Sequence, residues 1–361
     1  MFLLDSALVM ISKNKILILG LFVSTSLSQE VKWMSIGDLH NWYSAAGCEV
    51  ETGRTGQVSD QQDGLRYPAF YRVQDNQAAK GLWLGATNFY DPVVNKDYEY
   101  KVIHAGPRHL DIENETMPVN ITMDGKYDHP NVFVDGDPAT NLQYLDNVDN
   151  VDPSLPSDRR INNIVQTSIG VQMKRTIYAF SHPEHQNYHI QEYVFTNNGC
   201  FDADCNTSYE QTLEGFQVYL QYRYAISREG MVYDGNWLPQ SAAWGHNTMN
   251  DVIGEHPNAP SINDQFYDDG EIMRALFSWQ GYHSDASFDN LGGPNAPGDG
   301  HLGAAQFVGV VTLHADTSPT DNTDNINQPS TTWFITSDDP TTSGNDQYNE
   351  VKSTNEYTNY M

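Results

Sequence analysis

Three cysteines in 361 residues are too few for a disulfide-stapled scaffold, and no C-x-x-C pair is present. Basic residues are scarce too. Against 47 Asp plus Glu stand only 19 Lys plus Arg, a net charge of −28, which disfavours nucleic acid and anionic lipid as partners. No G-x-S-x-G elbow, phosphate-binding loop or dinucleotide fingerprint occurs, so the sequence points to none of the chemistries those motifs carry. Long apolar runs are also missing. Ile16 to Val23 is far shorter than the roughly 20 residues a membrane-spanning helix needs, so no span is expected in the mature chain.

What is present begins with an export signal. Lys13 and Lys15 precede that apolar run, and the small polar stretch Ser24 to Ser28 follows it. Residues 1–28 therefore read as a secretory signal peptide cleaved near Ser28, with Met10 as an alternative start. The expected location is secreted or at the outer cell surface. Removing the segment leaves the mature chain one unit more acidic. Such acidity suits a solvated surface at high ionic strength, where salt screens the mutual repulsion, or a set of cation sites. A hydrophobic content of 39%, with 12% aromatic residues, is enough for a large core and argues against disorder.

Period-two alternation dominates, which predicts strands rather than helices. Phe216, Val218, Leu220, Tyr222, Tyr224 and Ile226 alternate with polar residues in a long half-buried strand. In Thr167 to Ala179, Ile169, Val171, Met173 and Ile177 are expected to face inward. Met273 to Trp279 alternates less cleanly. Ala304 to Ala315 is nearly continuous in apolar residues and predicts a central strand covered on both faces. Shorter strands are expected at 81–86, 98–103, 119–123, 188–196 and 333–336. Residues 32–60 read as an N-terminal cap or short helix. Loops rich in Asp, Asn, Gly and Pro occupy 134–158, 258–271, 284–301 and 316–329, several longer than ordinary hairpin turns. The expected architecture is all-β, a β-sandwich with long acidic loops over 29–336. The polar stretch 337–361 reads as a tail or as the junction to further modules.

Asp202, Asp204 and Asn206 alternate along the loop Cys200 to Asn206, an arrangement that lets side-chain oxygens converge on a hard cation such as calcium. It is not an EF-hand, because Thr207 stands where the glycine belongs and Leu213 where the closing glutamate belongs. Asp316, Asp321 and Asp324 form a second candidate calcium loop, and Asp268 to Glu271 a weaker third. Solvated Asx turns explain each loop equally simply. Cys200 and Cys205 either close a small disulfide loop in an oxidising compartment, leaving Cys48 over, or remain thiols. His182-Pro183-Glu184-His185 with His189 fails the helical zinc pattern. Its spacing is three rather than four, a proline intervenes, and His189 falls in a predicted strand, so zinc is not expected. Glu192 and Glu214 are the carboxylates best placed on strands for a glycosidase pair, although solvent-facing charge accounts for them as well. Seven tryptophans and 21 tyrosines offer sugar-stacking surface, yet cores also prefer such residues.

Several segments in combination resemble a group of uncharacterised exported proteins of marine and other environmental bacteria. They are Gly81-Leu-Trp-Leu-Gly-Ala-Thr-Asn-Phe89, His104-Ala-Gly-Pro-Arg108, Asp152-Pro-Ser-Leu-Pro-Ser-Asp-Arg159, Glu192-Tyr-Val-Phe-Thr-Asn-Asn-Gly199, Gln221 to Arg228, Ala243 to Asp251 and Leu302 to Asp316. The resemblance spans most of 81–347. It implies secretion, a β-rich body and, in longer relatives, further C-terminal modules, and it carries over no assigned catalytic residue. The expected role is noncatalytic adhesion or binding of an extracellular polysaccharide or surface polymer, with calcium-ordered loops. A secreted polysaccharide hydrolase and a purely structural module of a longer surface protein are the alternatives.

Overall fold

The computed structural model describes residues 30–49, 65–69, 77–106, 115–129, 133–138, 146–224, 232–233, 236–237, 248–253, 274–280, 307–325, 327–328 and 357. The segment 1–28, the loops 258–271 and 284–301 and the strand expected at 333–336 lie outside them, as does all of 337–361 except Tyr357.

Nearly all the regular structure is strand, as the alternation predicts. In chain order the first strands are β1 (Val31–Met34), β2 (Asn41–Ser44), β3 (Gln77–Asp91), β4 (Lys96–Ala105), β5 (Thr116–Gly125), β6 (Phe133–Val134), β7 (Asp137–Pro138) and β8 (Asn150–Val151). Then come β9 (Arg159–Thr167), β10 (Val171–Ala179), β11 (His189–Asn197) and β12 (Glu214–Tyr224). Later strands are β13 (Val232–Tyr233), β14 (Asn236–Trp237), β15 (Thr248–Ile253), β16 (Arg274–Gln280), β17 (Phe307–Thr312), β18 (Asp316–Ser318) and β19 (Asp321–Asp324).

The largest sheet has five strands in the order β11-β10-β9-β5-β8, antiparallel except for the short β5/β8 pairing. A second sheet has the order β12-β3-β4, and a third β15-β16-β17. Side chains of the first two sheets meet in one apolar cluster. Leu82, Leu84, Ala86, Phe89, Ile103 and Ala105 come from β3 and β4, while Val165, Val171 and Met173 come from β9 and β10. Alternation puts those side chains on the inner faces except Phe89, whose parity is reversed after Asn88 at a φ of +50°, and burying each large one stabilises the fold by about 1.5–3 kcal/mol.

Within the segment 32–60, expected as an N-terminal cap or short helix, the residues up to Ser44 form the hairpin β1–β2 and no helix, with Trp33, Trp42 and Tyr43 buried, and 50–60 lie outside the described residues. From this hairpin the turn Ser44 to Glu49 runs in against both sheets. Ala45 joins a core cluster with Ile161 and Ile177, while Cys48 joins the cluster shared with β3 and β4. Gly47 has a φ of +102°, and a Cβ there would run into the Met173 side chain, so only glycine fits.

Arg175 pins this turn. Alternation places it on the inner face of β10 between Met173 and Ile177, and its side chain is fully buried. Its Nη2 donates to the carbonyl of Ser44 at 2.7 Å and to Asn163 Oδ1 at 3.1 Å, and its Nη1 donates to the carbonyl of Gly47 at 2.9 Å. Asn163 in turn donates to the carbonyls of Ala45 and Asn120. The guanidinium supplies donors to carbonyls that no strand pairs.

Two strands depart from expectation. Val218 and Leu220 of β12 pair with Leu84 and Leu82 and so share their face, yet they are about 40% exposed, because β12 is an edge among the described residues. In β17, Val311 is 49% exposed, and the strand pairs only with β16 among the described residues rather than sitting centrally.

Replacing Arg175 with methionine should destabilise the fold by about 3–5 kcal/mol, because the Gly47 carbonyl and Asn163 Oδ1 lose the guanidinium donor and the Ser44 carbonyl keeps only the Gly47 amide. Urea unfolding measures this. A loss below about 1 kcal/mol would show that the turn is held by packing alone.

Candidate functional site

On the other side of the same turn lies a buried polar network. Glu49 forms a bridge with Lys80 of β3, and its carboxylate accepts from Asn41 Nδ2 at 2.7 Å, Gln77 Nε2 at 2.9 Å and Lys80 Nζ at 3.1 Å. The Lys80 ammonium also donates to Gln191 Oε1 at 3.2 Å and to the Tyr193 hydroxyl at 3.3 Å, both from β11. Lys80 occupies the same strand parity as Leu82 and Leu84, which explains its inward direction.

Burial by itself would raise the Glu49 carboxyl, but the charges of Lys80 and Arg175 and the donated hydrogen bonds outweigh it and hold the group below its ordinary value. Burial would lower Lys80, and Glu49 outweighs that and raises it. Both groups stay charged, saturated by one another and by neighbours. The pair fastens β2 and β3 to β11 and aims no free lone pair at a ligand.

Two histidines border the network. His189 Nδ1 shares a 2.8 Å hydrogen bond with the Tyr43 hydroxyl, and burial pushes the imidazole down to about 4. Burial does the same to His40, whose Nε2 bonds the Gly37 carbonyl at 3.1 Å, again to about 4.

The residues singled out in the sequence lie elsewhere, in separate exposed places. Cys200 and Cys205 are disulfide-bonded and Cys48 is a buried free thiol. Inside that small loop Asp202 caps its own backbone. Its Oδ1 accepts from the amides of Asp204 at 3.1 Å and Asn206 at 2.9 Å, and its Oδ2 accepts from the amide of Thr207 at 2.5 Å. These bonds hold the Asp202 carboxyl below its usual range. Asp321 accepts from the Thr323 amide and hydroxyl, Asp324 from the Ala315 amide, and Asp316 pairs with His314 at 2.8 Å. Glu192 is exposed on β11, whereas Glu214 is exposed on β12 in the other sheet and accepts from Asn88. The loop Asp268 to Glu271 lies outside the described residues.

Among the described residues, three His, Cys, Asp or Glu side chains converge in one place, the turn after β10, through His182, Glu184 and His185. His189 is not with them, because its ring turns inward to Tyr43.

Among the described residues, a concavity open to a ligand lies between the two large sheets at their β11 and β12 edges. It is a cleft of about 390 Å³ lined by Val171, Phe195, Leu213 and Phe216 on the apolar side and Asn197, Gln211 and Thr212 on the polar side. Phe195, Leu213 and Phe216 pack their inner surfaces on the shared core, so the wall is supported from behind. Asn197 Nδ2 donates to the Gln211 carbonyl at 2.8 Å, and the Gln211 amide bonds the Tyr90 backbone on both sides. The rim is thereby held in one shape. Nothing in the sequence pointed to this cleft, because its walls come from three strands of two sheets and the loop before β12.

Comparison of the chain with protein-family models, with curated proteins and with solved structures finds no match. No helix among the described residues is long and apolar enough to cross a membrane.

Acid should destabilise the protein between pH 6.5 and 4. With both histidines lowered to about 4 in the fold, the unfolded chain binds the extra protons in that window. Their contribution is therefore complete above about pH 6.5 and lost on the way down to 4, on the order of 3 kcal/mol per histidine. Urea midpoints at pH 7 and 4.5 measure the slope, and His189→Gln should flatten it by the share of one group. Equal slopes in the two proteins would contradict the assignment.

Proposed function

We propose that the chain is an exported, noncatalytic β-protein that binds an extracellular polysaccharide or surface polymer in the cleft beside Phe195 and Phe216. The cleft is the observation that carries this. A sugar ring presents an apolar C–H face and a rim of hydroxyls, and the cleft offers two aromatic rings beside amide and hydroxyl side chains. An open-sided groove also suits a chain that enters and leaves it, as a polymer does. The charge of −28 favours a neutral polymer over an acidic one. Export is supported by the Lys13 to Ser28 pattern and is consistent with the Cys200–Cys205 bridge, which persists in oxidising compartments.

Retention by insoluble and gel-embedded polysaccharides tests the role. Phe195→Ala and Phe216→Ala should each weaken retention by about fivefold to tenfold, the scale of one lost aromatic contact, with the far-ultraviolet spectrum unchanged. Retention that survives the double substitution would remove the cleft from the proposal. Release of reducing sugar that stops on Glu192→Gln or Glu214→Gln would replace binding by hydrolysis.

Calcium is the second element, resting on the acidic loops around Asp202, Asp204 and Asn206 and around Asp316, Asp321 and Asp324. An ion bound only by the folded chain raises apparent stability by mass action, about 2.7 kcal/mol at a hundredfold excess over Kd. Thermal unfolding of the chain from residue 29 should therefore rise by several degrees in calcium relative to chelator. Asp204→Asn together with Asp321→Asn and Asp324→Asn should abolish the rise. Equal midpoints would leave the acidic loops as a solubility feature.

A further inference from the structure

The turn joining β10 to β11 gathers His182, Glu184 and His185 at the surface. One ligand atom from each lies within 4.8 Å of the other two. A tetrahedral zinc site with bonds of about 2.0–2.1 Å sets its ligand atoms about 3.3 Å apart, so small side-chain rotations at three exposed residues close the remaining gap. We propose that this turn binds one divalent ion of the zinc class through these three side chains.

The backbone that carries them is fixed at several points. The His185 amide donates to the His182 carbonyl at 2.8 Å. The Asp38 amide donates to the Gln186 carbonyl at 2.9 Å, and Gln186 Nε2 returns a bond of 2.9 Å to Asp38 Oδ2. At the entrance, the Ser181 amide and hydroxyl both donate to Asp158 Oδ2. Gly37 lies so close beneath the turn that a Cβ there would stand 2.6 Å from the Gln186 carbonyl oxygen. A turn tied down in this way loses little further entropy when an ion binds.

One ligand also has an outer partner. The Tyr188 hydroxyl and His185 Nδ1 share a hydrogen bond of 2.6 Å, and the Phe180 ring packs beside both rings with centroids 6.0 Å from each. When Nδ1–H donates to that hydroxyl, Nε2 keeps its lone pair for a metal, which is how ligand histidines are commonly oriented. On His182 the Glu184 amide donates to Nδ1 at 3.2 Å, a long bond that a metal on Nδ1 would replace. The His182 and His185 rings stand 5.6 Å apart.

The donor set decides the kind of ion. Two imidazoles and one carboxylate suit zinc, copper or nickel, whereas calcium and magnesium need several more oxygens than this turn offers. The site is thus separate from the acidic loops in place and in chemistry. Three protein ligands leave a coordination position for water or for a donor from another molecule.

The test is titration of chelator-washed protein with Zn²⁺ alone, followed by calorimetry. One ion per chain should bind, and His182→Ala, His185→Ala and Glu184→Gln should each weaken it about tenfold or more. Tyr188→Phe should weaken it less, through the orientation of His185. All four side chains are at the surface, so an unchanged thermal midpoint without metal verifies folding. With Cu²⁺ as the probe, electron paramagnetic resonance should show two coordinated imidazole nitrogens, falling to one in either histidine variant. Absence of Zn²⁺ binding, equal binding by the His182→Ala/His185→Ala double variant, or displacement of Zn²⁺ by millimolar calcium would each overturn the proposal.

Discussion

The turn Ser44 to Glu49 is held from both sides by buried charge, and the joining of the two large sheets depends on it. Arg175, from β10, donates to the carbonyls of Ser44 and Gly47, while Lys80, from β3, pairs with Glu49 at the other end of the same turn. Between those anchors Cys48 and Ala45 enter the apolar clusters. Charges this deep stabilise only when every donor and acceptor around them is matched, because removing a charge from water costs several kcal/mol before any partner is counted. Here the matching is nearly complete for Glu49, with three donors on one carboxylate. The geometry tolerates one arrangement of β2, β3, β10 and β11, so the polar contacts specify which apolar faces meet.

That frame sets what its edges can offer. Among the described residues β11 borders the five-stranded sheet and β12 the three-stranded one, and where the two edges come together the shared core leaves an apolar wall facing outward at Phe195, Leu213 and Phe216. The turn before β11 is locked to the hairpin β1–β2 through Asp38 and Gln186, which gives its exposed histidines a rigid base. Local hydrogen bonds act in the opposite sense in the acidic loops. Asp202, Asp321 and Asp324 spend oxygens on amides of their own loops, so each loop keeps its shape with the resources it contains.

The inward residues of β10 were legible from alternation, and Val171, Met173 and Ile177 are buried, as is Ile169 in the turn between β9 and β10, where the expected strand from Thr167 is interrupted. The same parity places Arg175 and Lys80 inward, yet a charged side chain at such a position ordinarily reads as solvent-facing, and only a matching partner from elsewhere in the chain makes it buried. Those partners, Ser44, Gly47 and Glu49, lie about 30 to 130 residues away. The two-sided burial expected for Ala304 to Ala315 failed, and Val218 and Leu220 stay about 40% exposed on the face they share with Leu84 and Leu82, for a related reason. Alternation and apolar runs report what a strand can bury, whereas its place at the centre or edge of a sheet decides what it does bury.

By itself, the sequence determined the strand-rich class, the acidic surface, the scarcity of thiols and the positions of most strands, because these follow from composition and from a period of two that each segment carries alone. Only the tertiary structure decided that 31–44 is a hairpin, that Cys200 pairs with Cys205, that His189 turns inward while His182, Glu184 and His185 gather outside, and that a cleft opens beside Phe195 and Phe216. Each of those depends on distances between residues far apart in the chain or on the direction a turn takes, and neither is encoded in local periodicity.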